Sequence, residues 1–202
     1  MRAISIIFVG LIWAFSASAF AAPISTEAAL EERVLGDPNA PVTIIEYSSL
    51  TCPHCANFHS ETLPDLKRKY IDTGKAKLIL RDFPFDPIGA RAAMVARCIE
   101  PKRYFKFVDG LFKTQASWAR ANEQESLQAL AGIAKLSGLS EDDFNACVAN
   151  EAILDGILQR RLEGMQKHEV QATPTFIIQD EKIEGSLPIE EFEDVLNEIL
   201  GE

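Results

Sequence analysis

The feature that most constrains the fold of this chain is the sequence Cys-Pro-His-Cys at residues 52–55. It directly follows residues 42–47, a β-branched run typical of a buried strand, and it precedes a helical pattern that starts near Ala56. Two cysteines separated by two residues can close a disulfide, and the unpaired N–H groups of a first helical turn stabilise a thiolate on the first cysteine. The motif therefore predicts thiol–disulfide exchange.

The two residues between the cysteines, Pro53 and His54, both favour a thiolate at Cys52. Proline has no N–H group, and that group would be unpaired in the first turn of a helix in any case. Histidine adds a cation near the sulfur when it is protonated. We therefore expect a lowered pKa at Cys52, which makes this cysteine a good leaving group.

A zinc site is the main alternative for a CxxC pair, and it needs a second pair of ligands at comparable spacing. The sequence shows no such pair: Cys98 and Cys147 stand apart from each other, and of the three histidines only His54 and His59 lie near the motif. We therefore expect redox chemistry that uses no metal and no cofactor.

The first 21 residues have the pattern of a secretory signal peptide. Arg2 is followed by an apolar stretch at residues 4–15 and then by small residues, with Ala-x-Ala patterns that end at Ala19 and Ala21. The apolar stretch is shorter than the roughly 20 residues that a membrane span needs. We expect export to the periplasm with cleavage after Ala21 or Ala19, and an uncleaved N-terminal anchor is the alternative.

Removal of this segment would leave 19 basic residues against 30 acidic ones, a formal net charge of −11. Such a charge disfavours nucleic acid as a partner. The remaining length fits one domain, or one domain that carries an insertion. Export would also permit structural disulfides, so we expect Cys98 to pair with Cys147; two separately buried thiols are the alternative.

The order of the predicted elements begins with strand, helix and strand. Strands at residues 42–47 and 76–81 flank the helix that follows the motif, and Pro64 should kink this helix. Such a unit places its two strands in parallel. Residues 22–34 have little periodicity and predict a loosely ordered lead-in or a short helix.

The rest of the chain predicts a helical segment followed by strand, strand and helix. Pro188 should begin the last helix, which continues to Leu200. The two strands are expected at residues 175–178 and 182–184. The candidate helices of the middle segment are residues 89–99, 104–115, 123–136, 141–149 and 152–167.

A βαβ unit with CxxC after its first strand, followed by a ββα unit that begins at Thr173-Pro174-Thr175, resembles a thioredoxin fold. The helical segment between the two units resembles the insertion of the DsbA family of exported thiol:disulfide oxidoreductases. Two further features carry the resemblance: Glu46, six residues before Cys52, and the Arg-Asp-Phe-Pro segment at residues 81–84.

This resemblance implies an α/β protein: a thioredoxin fold, made of βαβ plus ββα around a mixed sheet, with an inserted all-helical subdomain. The expected divisions are a signal peptide at 1–21, an N-terminal lead-in at 22–40, the βαβ half with CxxC at 41–86, the helical insertion at 87–171 and the ββα half at 172–202.

The resemblance also implies roles for the site residues. Cys52 would be the nucleophile and Cys55 the buried resolving thiol. The bond between Thr173 and Pro174 would be cis, so that the backbone of Thr173 lies beside the disulfide and can bind an extended substrate segment.

Glu46 lies among apolar residues of the first predicted strand. A carboxylate that is buried there should have a raised pKa and could carry the proton of Cys55. The alternative is that Glu46 faces solvent, and the sequence pattern does not decide between the two.

By resemblance, the chain would be a monomer that introduces disulfides into reduced secreted proteins and is reoxidised by a DsbB-like membrane partner. A disulfide isomerase or reductase of the same fold is the nearest alternative. A non-catalytic chaperone-type surface protein is a second one, and the intact Cys-Pro-His-Cys motif argues against it.

Overall fold

The computed structural model describes residues 24–119 and 122–202, so the predicted signal peptide lies outside the described residues. The strands are β1 (Arg33–Leu35), β2 (Val42–Ser48), β3 (Ala76–Asp82), β4 (Thr175–Ile178) and β5 (Glu181–Glu184). They form one sheet in the order β1-β3-β2-β4-β5. β2 and β3 are parallel, and the other neighbouring strands are antiparallel. The mixed sheet of the predicted thioredoxin fold is confirmed.

The two faces of the sheet pack against different helices, and the alternation of side chains along β2 shows this directly. Val42 and Ile44 pack in the core beneath the helix that follows the Cys-Pro-His-Cys motif. Tyr47 points to the opposite face and packs with Phe83 and Ile177. β2 lies at the centre of the sheet between β3 and β4, and packing on both faces of the sheet leaves its side chains buried or half-buried.

The helix after the motif is not a regular α-helix. It runs as α2 (Pro53–Asn57), a π-helical turn (Phe58–Thr62), α3 (Leu63–Leu66) and a second π-helical turn (Lys67–Ile71). In a regular α-helix, the ring of Pro64 would collide with the carbonyl group four residues before it. The wider turn that precedes Pro64 relieves this collision. A kink was predicted at Pro64, and the structure shows a change from α-helical to π-helical hydrogen bonding just before it.

The segment between β3 and β4 is helical, and its longer helices begin and end within two residues of the predicted bounds. Among the described residues, no helix is both long enough and apolar enough to cross a membrane. The remaining helices are α1 (Thr26–Ala29), α4 (Pro87–Arg97), a 3₁₀ turn (Pro101–Arg103), α5 (Tyr104–Lys113), α6 (Gln115–Trp118), α7 (Glu123–Leu136), α8 (Glu141–Val148), α9 (Glu151–Lys167) and α10 (Ile189–Leu200).

The prediction for residues 22–34 was incomplete. The short helix is present as α1, but the chain then forms β1, which pairs antiparallel with β3 at the edge of the sheet. β1 has only three residues and begins with a buried charged one, Arg33, so alternation of apolar and polar residues gave no signal. Arg33 is tolerated there because its Nη2 donates to the carbonyl oxygens of Ala28 (2.9 Å) and Arg97 (3.3 Å).

A buried ion pair joins the sheet to the helical segment. Arg97 Nε, at the end of α4, donates to Asp82 Oδ2, at the end of β3, over 2.6 Å. Both side chains are almost completely buried. The guanidinium group also donates to the carbonyl oxygens of Glu31 (2.9 Å) and Leu80 (3.2 Å). Removal of one member of such a pair leaves an uncompensated charge in the core.

We expect Asp82→Asn to lower the free energy of unfolding by about 3 kcal/mol, because Arg97 would stay buried without its counter-ion. Urea denaturation followed by circular dichroism measures this change. Glu100→Gln is the matched control, since it removes one acid from the exposed pair Glu100–Arg103 and should have little effect. Equal losses in the two variants would show that the buried pair has no special importance for stability.

Candidate active site

Cys52 and Cys55 stand at the N-terminus of α2. Cys52 is the N-cap residue, with an extended backbone (φ −81°, ψ 121°), and Pro53 follows it in the first turn. Both cysteines carry free thiols; Cys52 is partly exposed and Cys55 is completely buried. A partner protein can therefore reach only the Cys52 sulfur.

The surroundings of Cys52 lower its pKa to about 5. The largest cause is the hydrogen bond that the Cys55 thiol donates to the Cys52 sulfur; partial burial of Cys52 opposes it. Thr173 and the backbone N–H groups of Cys55 and His54 add further hydrogen bonds. Cys52 is therefore a thiolate at neutral pH, as the helix N-terminus predicts.

Pro53 and His54 lie between the two cysteines, and the structure shows how each contributes to the helix N-terminus. Both side chains are exposed. Sequence analysis assigned the effect of His54 to a cationic imidazole, whereas the contact that the structure shows is a hydrogen bond from the His54 backbone N–H group. Pro53 occupies the first turn, as expected. The backbone of the helix N-terminus, through the N–H groups of His54 and Cys55, stabilises the thiolate.

The surroundings of Cys55 raise its pKa, in contrast to those of Cys52. Burial raises the pKa of the Cys55 thiol far above its usual range, and the hydrogen bond to Cys52 and the charge of Glu46 raise it further. Cys55 therefore remains protonated and can donate to Cys52. The two sulfurs of one CxxC motif thus differ strongly in acidity.

The loop before β4 brings Thr173 and Pro174 to the dithiol. The Thr173–Pro174 bond is cis, and the carbonyl oxygen of Thr173 lies 3.3 Å from Cys52 Sγ. The Thr173 hydroxyl is buried, and the Thr173 side chain acts on Cys52 to lower the pKa of that thiol.

Glu46 is completely buried on β2, so the alternative of a solvent-facing carboxylate is wrong. Each of its carboxylate oxygens lies 3.2 Å from Nε2 of the buried His59. Nδ1 of His59 lies 3.1 Å from Oδ1 of Asp109 on α5. Burial alone would lower the pKa of His59, but Glu46 and Asp109 raise it to about 9, so this imidazole is a cation at neutral pH.

Sequence analysis did not assign a function to His59 or Asp109. A signal for His59 existed: it follows Cys55 by four residues, a spacing that places two side chains on one face of a helix. Asp109 gave no such signal, because it lies 50 residues further along the chain and is brought in by the packing of α5.

The helical segment also holds the active-site loop in place. Gln115 Nε2 donates to the carbonyl oxygens of Leu50 (2.8 Å) and Cys52 (3.1 Å). Thr51 Oγ1 donates to Oδ2 of Asp86, the N-cap residue of α4, over 2.5 Å. Sequence reasoning missed these contacts because each of them joins residues that are far apart in the chain.

Cys98 and Cys147 are bonded to each other, with an S–S distance of 2.02 Å. The bond joins the C-terminal end of α4 to α8, and both cysteines are buried with apolar residues of α1 and α9. This pair is therefore separate from Cys52 and Cys55, which remain free.

The overall structure of the chain is similar to solved structures. The crystal structure of alpha-DsbA1 from Wolbachia pipientis has a TM-score of 0.78 and 37% sequence identity, and the match covers 84% of this chain and 91% of that one. A family model described as thioredoxin matches residues 28–198. The chain is a DsbA-like member of the thioredoxin family.

Other relatives of this DsbA-like protein have names that differ in the direction of the reaction. A relative from Rickettsia bellii, whose name proposes a protein-disulfide oxidoreductase, is 30% identical over 148 residues, 73% of this chain and 56% of the relative. The chain thus spans about half the length of the Rickettsia relatives it matches over 148 residues. A structure named as a protein-disulfide isomerase, from Novosphingobium aromaticivorans, has a TM-score of 0.72 and 25% identity, covering 85% of this chain and 98% of that one.

We expect Thr173→Val to raise the pKa of Cys52 by about one, because a hydrogen bond to a charged group is lost. Titration of the thiolate absorbance of the reduced protein measures this pKa. Thr73→Val is the control, since its exposed hydroxyl bonds only to carbonyl groups at the end of the active-site helix. An unchanged titration in Thr173→Val would mean that the hydroxyl does not stabilise the thiolate.

Proposed function

We propose that this DsbA-like protein is an exported thiol:disulfide oxidoreductase that donates the Cys52–Cys55 disulfide to reduced secreted proteins. The observation that carries the proposal is the difference between the two sulfurs. The pKa of Cys52 is lowered to about 5, whereas that of Cys55 is raised by burial. A stabilised Cys52 thiolate stabilises the reduced protein, and a protein whose reduced form is stabilised is a disulfide donor.

The reaction proceeds through a mixed disulfide. A substrate thiolate attacks Cys52 Sγ, the Cys52–Cys55 bond breaks, and Cys55 leaves with the electron pair. A second substrate thiolate then attacks the substrate sulfur of the mixed disulfide, and Cys52 leaves as a thiolate. The substrate dithiol is oxidised to a disulfide, and the active-site disulfide is reduced to a dithiol. Cys52 is suited to both steps because it is the exposed sulfur and the better leaving group.

Glu46 is the proposed proton partner of Cys55. Cys55 leaves the disulfide as a buried thiolate beside a carboxylate, and such a charge must be neutralised. A protonated Glu46 can supply the proton, and the carboxylate can take it back when Cys55 is oxidised again. Reoxidation consumes an acceptor disulfide, and a DsbB-like membrane protein is the partner that the family resemblance suggests.

Thr173 is the proposed contact for the substrate backbone. Its carbonyl oxygen lies 3.3 Å from Cys52 Sγ, the sulfur that the substrate thiolate attacks, and β4 begins two residues later. An extended substrate segment that lies along this loop would bring its own cysteine to Cys52.

Export rests on the sequence of residues 1–21, and the bond between Cys98 and Cys147 supports it, because structural disulfides persist in oxidising compartments. We therefore place the protein in the periplasm, with cleavage after Ala21 or Ala19. The 98–147 bond is the proposed structural disulfide of the helical segment.

The isomerase activity is the second candidate, because one structurally similar protein carries that name. An isomerase must be kept reduced, and its attacking thiolate must rearrange disulfides that already exist in the substrate. A thiolate at Cys52 suits both activities, so a direct comparison of the two reactions is needed.

We expect the oxidised protein to convert a reduced peptide with two cysteines to its disulfide form, one peptide for each Cys52–Cys55 bond. Reverse-phase chromatography of the acid-quenched mixture gives both yields. Cys52→Ala should abolish the reaction, and Cys55→Ala should trap a mixed disulfide with a thiol-activated peptide. A protein that rearranges a scrambled substrate, but leaves the reduced peptide unoxidised, would be an isomerase and not a donor.

A further inference from the structure

The buried cation His59 connects the resolving thiol to the protein surface, and the function proposed above does not use this connection. The path consists of Glu46, His59 and Asp109. The side chains of Glu46 and His59 are 0% and 2% exposed, whereas that of Asp109 is 43% exposed. Glu46 is close enough to Cys55 for its charge to act on that thiol. The path of contacts therefore begins at Glu46, whose charge acts on the Cys55 thiol, and ends at the partly exposed Asp109.

Water can reach the outer end of this path. A surface cavity of about 340 Å³ is lined by His59, Asp109 and Lys113, together with residues of the active-site helix. The His59 ring itself is held between two aromatic side chains: Phe112 is in tilted contact with a centroid distance of 4.3 Å, and Phe58 is edge-on at 5.6 Å. The ring is thus fixed with one nitrogen towards each carboxylate.

The charged groups that face His59 come from two elements. Glu46 reaches Nε2 from β2, and Asp109 reaches Nδ1 from α5. Since the imidazole is a cation at neutral pH, both N–H groups donate, and each carboxylate accepts one of them. A histidine in this state can release a proton at one nitrogen while the other nitrogen keeps its hydrogen bond.

We propose that His59 is a positioning residue that couples proton transfer at Cys55 to solvent, and that Asp109 is the group that exchanges this proton at the surface. The inference extends the proposed role of Glu46, and it applies to the step in which Cys55 resolves a mixed disulfide at Cys52. That step occurs in thiol–disulfide exchange in either direction.

In this step Cys55 attacks the mixed disulfide at Cys52 and loses its proton. The Cys55 thiol gives its proton to Glu46, and the Cys55 sulfur attacks Cys52 Sγ of the mixed disulfide. The Cys52–Cys55 bond forms, and the partner leaves as a thiolate with the electron pair. As Glu46 becomes neutral, His59 gives its Nδ1 proton to Asp109, which passes it to water. The Cys55 sulfur is oxidised, the partner sulfur is reduced, and Glu46 and His59 together keep the same net charge.

The coupling matters because the buried pair would otherwise gain a positive charge when Glu46 is protonated. A net charge in this position is costly, since Glu46 and His59 are almost completely buried. Release of the Nδ1 proton removes that cost, and it needs an acceptor at the outer end. An amide at position 109 can bond to the ring but cannot accept the proton.

The test measures resolution of a mixed disulfide with glutathione. Reduced protein is mixed rapidly with excess oxidised glutathione, so that attack by Cys52 is fast and the later attack by Cys55 limits the rate. Acid quenching and mass spectrometry count the glutathione adduct over time at several pH values. Asp109→Asn is compared with Glu61→Gln, which removes an acid of the same charge from an exposed position two residues after His59.

We expect Asp109→Asn to slow resolution about tenfold at pH 7 and to accumulate the adduct; this is less than the roughly hundredfold minimum for a direct general acid or base, because Asp109 acts on Cys55 only through His59 and Glu46. The pH dependence should also change, because a group that raises the pKa of His59 is lost. Asp109→Glu should restore the rate. Glu61→Gln should resolve the adduct at the wild-type rate, and all three variants should keep the titration of Cys52.

Equal resolution rates and equal pH profiles in Asp109→Asn and the wild type would overturn the inference. A change in stability without a change in the pH profile would do so as well, because it would show a purely structural ion pair. Failure of the proposed function is distinguishable, since it would show as a wild-type protein that resolves glutathione adducts normally but does not oxidise a reduced peptide.

Discussion

The hydrogen bond from the Cys55 thiol to the Cys52 thiolate is the interaction on which the rest of the site depends. It requires one sulfur to lose its proton and its neighbour to keep it. The helix N-terminus and Thr173 favour the charge at Cys52, whereas burial and the Glu46 carboxylate disfavour a charge at Cys55. When the two sulfurs are joined as a disulfide, this stabilising arrangement is lost. The reduced protein is therefore favoured, which supports the proposal that the protein donates its disulfide.

Two parts of the fold maintain this difference in acidity. The central strand β2 pairs with β3 and β4 and carries Glu46 under the active-site helix, where His59 contacts its carboxylate. The helical segment supplies Gln115, which holds the loop that ends at Cys52, and Asp109, which completes the contacts of His59. The helical segment is thus a part of the active site, and the buried Asp82–Arg97 pair connects it to the sheet.

Much of this arrangement could be predicted from the sequence, because the positions of the cysteines depend on local order: strand, CxxC, helix. The burial of Glu46 could not be predicted from the sequence. Two isoleucines precede it, so the alternation of apolar and polar residues does not decide which face of the strand Glu46 takes. The packing of the active-site helix on the central strand buries its carboxylate. His59 and Asp109 meet only through the packing of α5 on the active-site helix, and β1 (Arg33–Leu35) was too short to give a pattern. Sequence order thus predicts local chemistry better than contacts between distant segments.

The most direct test of the account is the reduction potential of the Cys52–Cys55 pair. The protein is equilibrated at pH 7 with mixtures of reduced and oxidised glutathione, and alkylation of free thiols followed by mass spectrometry gives the reduced fraction. The account predicts a strongly oxidising pair, with a potential above about −180 mV, because the Cys52 thiolate stabilises the reduced form. A potential near about −270 mV, the value of thioredoxin, would contradict it and would indicate a reductant with the same fold.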